Sequence, residues 1–145
     1  MKESQGAQEH RVGAHLLRFE PPDLYHITLV GDLSMAELTA LGDIVAPVER
    51  SQQIFVLADM RRFGTLSPGV RKVEMYHYPG PHAVAFVGAS FTARVVTTLL
   101  SKAFRVLHPE TKRRSAFFDT EAEGRAFLDT IRRASADGAG DDAAR

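Results

Sequence analysis

The residues best suited to chemistry follow the apolar run Ile54-Phe55-Val56-Leu57-Ala58-Asp59: Arg61, Arg62, Thr65, Ser67, Arg71 and Lys72. Guanidinium and ammonium groups beside hydroxyls can hold a phosphate, a carboxylate or an acidic protein surface. Ser67 followed by Pro68 also reads as a helix start, since serine caps helices and proline at the first helical position forgoes an N–H that has no partner there. A helix N-terminus also favours a nearby negative charge, which suits the anion-holding role. Residue types alone leave both roles open.

Other chemistries find little support. The chain has no cysteine, which removes disulfides, thiolate zinc sites and a cysteine nucleophile. None of its six histidines has metal-ligand spacing, and His77 and His82 straddle a Pro-Gly-Pro turn. The stretch Gly88-Ala89-Ser90-Phe91-Thr92 lacks the Gly-x-Ser-x-Gly frame of a hydrolase elbow, so Ser90 reads as a helix cap. Gly64 and Gly69 have P-loop spacing, but Val70 and Arg71 stand where Lys and Ser/Thr are needed. No metal, cofactor or catalytic residue is expected.

The elements that must position the basic hydroxyl segment follow from hydropathy period and caps. Ala14 to Phe19 and Leu24 to Val30 read as strands reversed at Glu20-Pro21-Pro22-Asp23, giving an antiparallel hairpin. Ser34 and Glu37 form a capping box ahead of Met35, Leu38, Leu41, Ile44, Val45 and Val48 at helical spacing. Ile54 to Asp59 is a strand buried on both faces near the sheet centre. Ser67 opens a second helix that ends at Tyr78-Pro79-Gly80-Pro81. His82 to Val87 is a strand, and a helix from about Ser90 to Leu107 follows, apolar over a wide arc that includes Phe91, Val95, Leu99 and Phe104. An arc that wide predicts a sandwiched helix or one that contacts a second copy of the chain. Ser115 to Phe118 is the last strand, and Thr120 with Glu123 opens the last helix. The expected fold is α/β: a mixed sheet of about five strands in the order β-β-α-β-α-β-α-β-α, with helices packed on it. Residues 1–12 read as a flexible leader, 13–134 as one domain and 135–145 as a disordered acidic, Ala/Gly tail.

The 145 residues are formally neutral, yet charge is segregated. Residues 1–59 carry 4 Lys/Arg against 9 Asp/Glu, residues 60–118 carry 10 against 2, and residues 119–145 carry 4 against 7. Either folding interleaves these segments and neutralises them, or Arg61, Arg62, Arg71, Lys72, Lys102 and Arg105 form a basic face for an acidic partner or a phosphate. The neutral total and the lack of an aromatic stacking platform argue against nucleic acid. No apolar run approaches the roughly 18 residues of a membrane span, and a cysteine-free chain of this kind is expected in the cytoplasm.

The strand ending in Leu57-Ala58-Asp59-Met60-Arg61, the strand Ala83-Val84-Ala85-Phe86-Val87, and the closing run from Phe117 through Asp119, Glu123 and Arg125 to Leu128 resemble STAS domains. More narrowly, they resemble the SpoIIAA-like branch, named for the sporulation anti-sigma-factor antagonist, which also has a distant likeness to CRAL-TRIO lipid-exchange domains. The resemblance spans roughly residues 13–133. It implies a bacterial, non-enzymatic interaction module that binds a protein partner through the loop and helix 64–76. The partner implied is an anti-sigma factor, which in that family is also the kinase that phosphorylates a Ser or Thr at the matching helix start; Ser67 is the hydroxyl there. This chain departs from the antagonists' Asp-Ser-Ser/Ala-Gly signature. The alternative is a carrier of a small lipid-like or anionic ligand in an apolar pocket, with Arg61, Arg62 or Arg71 at its mouth.

Overall fold

The computed structural model describes residues 8–49, 51–66, 82–107 and 114–144. Gln8–Val12 (β1) and His15–Glu20 (β2) form an antiparallel hairpin closed by Gly13 and Ala14. Gly13 has φ +59, and among the described residues no non-glycine has a positive φ. That combination is a type II′ turn, whose twist matches the flanking strands. Leu24–Leu33 (β3) returns antiparallel to β2, as the prolines predict.

Met35–Glu49 (α1) then leads to Phe55–Leu66 (β4). Ala83–Val87 (β5), Phe91–Leu107 (α2), Arg114–Phe118 (β6) and Glu121–Ala144 (α3) complete the described elements. The six strands lie in chain order, antiparallel from β1 to β3 and parallel from β3 to β6. The mixed α/β fold is thus as expected, with one strand more. The second helix expected from Ser67 lies outside the described residues.

The caps form as the sequence implies. The Glu37 N–H donates to Ser34 Oγ (3.1 Å) and the Ser34 N–H donates back to Glu37 Oε1 (3.0 Å). Thr120 and Glu123 repeat this box at α3, and Ser90 caps α2 through the Ala93 N–H. Each box satisfies two backbone donors that a helix start otherwise leaves unpaired.

Strand alternation divides the core into two layers. Leu17, Tyr25, Leu29, Val56, Ala58 and Val84 pack beneath α1 and α2, whereas Leu24, Phe55, Leu57, Ala83, Ala85 and Val87 meet Leu128 and Ile131 of α3. A Cβ built on Gly124 would meet Leu57 Cδ1 at 2.8 Å and Val87 Cγ2 at 3.1 Å. The glycine lets α3 settle directly on the sheet.

Three boundaries differ from the sequence expectation. Residues 8–12, expected in the leader, form β1; the strand is exposed along almost its whole length and so carries no hydropathy period to read. Residues 135–144, expected as a disordered tail, continue α3. Extending a packed helix through alanines costs far less than nucleating one. The third difference, in β4, governs the candidate site.

Candidate functional site

The strand expected to stop at Asp59 runs on to Leu66, so Gly64, Thr65 and Leu66 are strand rather than loop. Its pairing with β3 steps from Thr28↔Asp59 to Val30↔Arg62, then from Gly31↔Phe63 to Leu33↔Leu66. At each step β4 carries one more residue than β3, which makes two β-bulges. The bulges change the period from two to three, so that Met60, Phe63 and Leu66 all reach the core beneath α1. Arg61, Arg62 and Thr65 are left exposed at the carboxyl end of the parallel strands. Ligands of open α/β sheets bind at this end, and bulges recur beside functional sites.

Three of the six candidates therefore share one rim, while Ser67, Arg71 and Lys72 lie outside the described residues. The rim is not the uniformly basic surface that segment charges suggest. Asp59, buried, accepts hydrogen bonds from the Arg61 backbone N–H (3.1 Å) and Nε (3.0 Å) on Oδ1 and from Nη2 (2.6 Å) on Oδ2. The guanidinium bonds, with help from the backbone N–H, hold the Asp59 carboxyl below its ordinary range despite burial. The Arg61 stem lies across Gly88, where a Cβ would come within 2.2 Å of Arg61 Cγ. Asp32 Oδ1 accepts the Thr65 N–H at 3.0 Å. One carboxylate thus pairs with Arg61 and a second accepts the Thr65 N–H, and Arg62 is the arginine of the rim that makes no ion pair with a described residue.

Next to this rim begins α2. Phe91, Val95 and Leu99, spaced one helical turn apart, are 81%, 43% and 61% exposed. The described residues therefore leave part of the wide apolar arc open to solvent. Phe91 is three residues beyond Gly88, the glycine under the Arg61 stem, so the stripe starts at the same end of the sheet as the rim.

A second charged cluster, on the α3 face, is one that sequence reasoning missed. Arg125 donates to both oxygens of Glu20 (3.2 and 2.9 Å) and through Nε to Glu121 (2.8 Å). Those bonds hold Glu20 and Glu121 below the ordinary carboxylate range and keep Arg125 charged. Arg132 pairs with Asp23 through two bonds of 2.8 Å and with Asp129, its guanidinium 4.9 Å from the Phe55 ring centre. Between these pairs opens a cleft of about 270 Å³, lined by the Glu20–Leu24 turn and by α3. Its walls mix charged side chains with Pro21, Pro22, Leu24 and Leu128, its arginines already have carboxylate partners, and neither Arg61 nor Arg62 lines it. The Arg-mouthed apolar pocket of the carrier reading is not this cleft.

His26 sits under the start of α3 with its side chain 13% exposed, Nε2 lying 3.7 Å from Glu121 Oε1. That is beyond hydrogen-bond reach, and Nε2 has no hydrogen-bond partner among the described residues. Burial lowers the His26 pKa below its ordinary value. His15, fully buried, accepts the Val30 N–H on Nδ1 (3.1 Å) and sets Nε2 3.3 Å from Glu37 Oε1. Among the described residues no group of three His, Cys, Asp or Glu side chains is arranged to hold a metal ion. No helix among them is long and apolar enough to cross a membrane.

No protein-family model matches the sequence, and no curated protein matches it either. Among solved structures the chain is similar to a crystal structure of an uncharacterized protein of the DUF3478 family, with a SpoIIAA-like fold, from Shewanella loihica PV-4. The two are 18% identical and superpose with a TM-score of 0.52 over 85% of this chain and 94% of that one. The likeness is one of fold, and the fold is SpoIIAA-like.

Proposed function

We propose that this protein is a non-catalytic, cytoplasmic regulatory module that binds a protein partner at the carboxyl edge of its parallel strands. A SpoIIAA-like fold is the scaffold of STAS-type regulatory modules, which is the coarse part of this reading. The observation that carries the finer part is the exposed stripe Phe91, Val95 and Leu99 beginning at the same end of the sheet as the Arg61, Arg62 and Thr65 rim. Soluble proteins rarely leave aligned large apolar side chains open without a use for them. Aromatic residues and arginine are also the side chains enriched at protein interfaces. Arg62, without a carboxylate partner among the described residues, steers an acidic surface toward the rim, and the stripe supplies the apolar contact.

In this reading Ser67, five positions after Arg62 in the sequence, is the residue at which a kinase partner regulates binding, and Arg71 and Lys72 add basic charge for the same partner. A phosphate there would add about two negative charges to this basic segment of the sequence and alter recognition of an acidic partner. The test is co-purification of the tagged full chain from its host, with the wild type compared to Phe91→Ser/Leu99→Ser and to Arg62→Glu. Loss of the same protein from both variants is expected. Retention in both would contradict the proposed surface. Intact mass of wild type and Ser67→Ala reads the regulatory part separately: a phosphate-sized excess in the wild type alone supports it, and no excess refutes it.

A further inference from the structure

Among the described strands, β1 forms one edge of the sheet, paired on one side to β2. The two-residue turn fixes which of its backbone groups are used. The turn closes on the pair Val12↔His15, and hydrogen-bonded pairs alternate along an antiparallel ladder. Val12, His10 and Gln8 therefore exchange N–H and C=O bonds with His15, Leu17 and Phe19, following the observed register. Glu9 and Arg11, opposite Arg18 and Leu16, direct their N–H and C=O groups away from β2, toward the open edge.

Natural sheets guard such an edge with like charges, proline or a covering element. Here the two outward residues bear opposite charges, lie on the same face two residues apart, and flank His10 symmetrically. We infer that this edge pairs with β1 of a second copy of the chain, antiparallel about a two-fold axis through His10, joining the two sheets into one of twelve strands. In that register Glu9 of each copy faces Arg11 of the other. Each of these two pairs exchanges two main-chain hydrogen bonds, and His10 faces its own counterpart in the non-bonded position between them. All four outward main-chain groups of each strand are satisfied.

The charges agree with the backbone. Glu9 and Arg11 project on the α3 face, since Val12 packs in the opposite layer beneath α1. Each Glu9 then lies between Arg18 of its own chain and Arg11 of the other. Self-complementarity of this kind is what an isologous interface demands, because every contact occurs twice. A like-charged edge would be repelled by its own copy, whereas this one is attracted to it. A five-residue strand from each copy buries less than the roughly 1,200 Å² typical of tight complexes, so the dimer is concentration-dependent and main-chain bonds carry most of it.

The test is sedimentation velocity of the full chain over a wide concentration range for wild type, Arg11→Glu and Glu9→Arg/Arg11→Glu. Arg11 is exposed and faces Leu16 within its own chain, so the single reversal leaves the fold intact, which circular dichroism checks. It sets a second carboxylate against Glu9 at both pairs of the dimer. Two attractive cross-strand pairs become two repulsive ones, which weakens association about tenfold or more. The double swap restores opposite charges across the dimer; the new Arg–Arg18 pair within each chain limits the recovery, so its affinity rises clearly above that of Arg11→Glu without reaching wild type. A wild type that stays monomeric throughout overturns the inference. So does a dimer indifferent to Arg11→Glu, which would lie on another face such as the α2 stripe. A single variant that weakens the dimer without rescue by the double swap overturns the register.

Discussion

Replacing His15 with leucine tests whether one buried imidazole ties the opening hairpin to the rest of the fold. The ring is fully buried; Nδ1 accepts the Val30 N–H at 3.1 Å and Nε2 lies 3.3 Å from Glu37 Oε1, the carboxylate that also caps α1. Leucine fills similar space but offers no acceptor. The Val30 N–H, located beside a bulged part of the β3–β4 ladder, then loses its partner, a loss worth about 1–3 kcal/mol. The change of shape adds less than about 1.5 kcal/mol, so His15→Leu is expected to destabilise by roughly 2–4 kcal/mol. Asparagine discriminates between packing and hydrogen bonding. Its Oδ1 sits near the position of Nδ1 and can accept the Val30 N–H, so His15→Asn should recover part of the loss although it fills less volume. Urea unfolding with unchanged slope provides the assay. A loss below about 0.5 kcal/mol for leucine, the range of neutral surface changes, or an asparagine variant weaker than leucine, would refute this role for the Val30 bond.

The titrating groups set a pH profile. The His26 pKa is lowered by burial from 6.5, so on acidification the unfolded chain takes up the proton first, and stability falls as pH drops below about 6.5. His82 shifts the same way, mainly through burial. Asp59, Glu20 and Glu121 are held below 3.8, 4.5 and 4.5 by their arginine bonds; their contribution is present above those values and is lost as pH falls through the lower folded-state values. Melting curves between pH 7.5 and 3 should show a gentle decline and then a steep one, and His26→Asn should flatten the first; an unchanged first limb would contradict the buried-histidine account. Gly124→Val should cost about 1–3 kcal/mol by overpacking α3 against Leu57 and Val87, and no loss in chemical denaturation would show that the helix shifts freely. Phe91→Ser with Leu99→Ser should leave stability within about 0.5 kcal/mol of wild type, because both side chains are largely exposed; a large loss in the same assay would mean that the stripe is core.

Caps and period make much of this fold legible. Ser34 with Glu37, Ser90, and Thr120 with Glu123 announce three helices, and Pro21-Pro22 announces the reversal between β2 and β3. What escapes reading has physical causes. Strand β1 has polar residues on both faces and draws its order from backbone pairing. In β4, two bulges replace alternation with the spacing Met60, Phe63, Leu66, which imitates a strand that ends at Asp59. The rim reads as basic because Arg61 and Arg62 are adjacent in sequence, whereas Asp32 reaches it from another strand. The Glu20–Arg125 and Asp23–Arg132 pairs join residues more than a hundred positions apart, and single residue types carry no signal of such pairing.

A photo-crosslinking residue placed singly at positions 62, 95 and 126 of the full chain, expressed in its host, tests the proposed binding surface. Arg62 and Val95 lie on the rim and the stripe, and Ala126 is exposed on α3. The account predicts one common crosslinked protein at 62 and 95 that is absent at 126. Different proteins at 62 and 95, or equal capture at all three positions, would contradict a single partner surface at the carboxyl edge of the sheet.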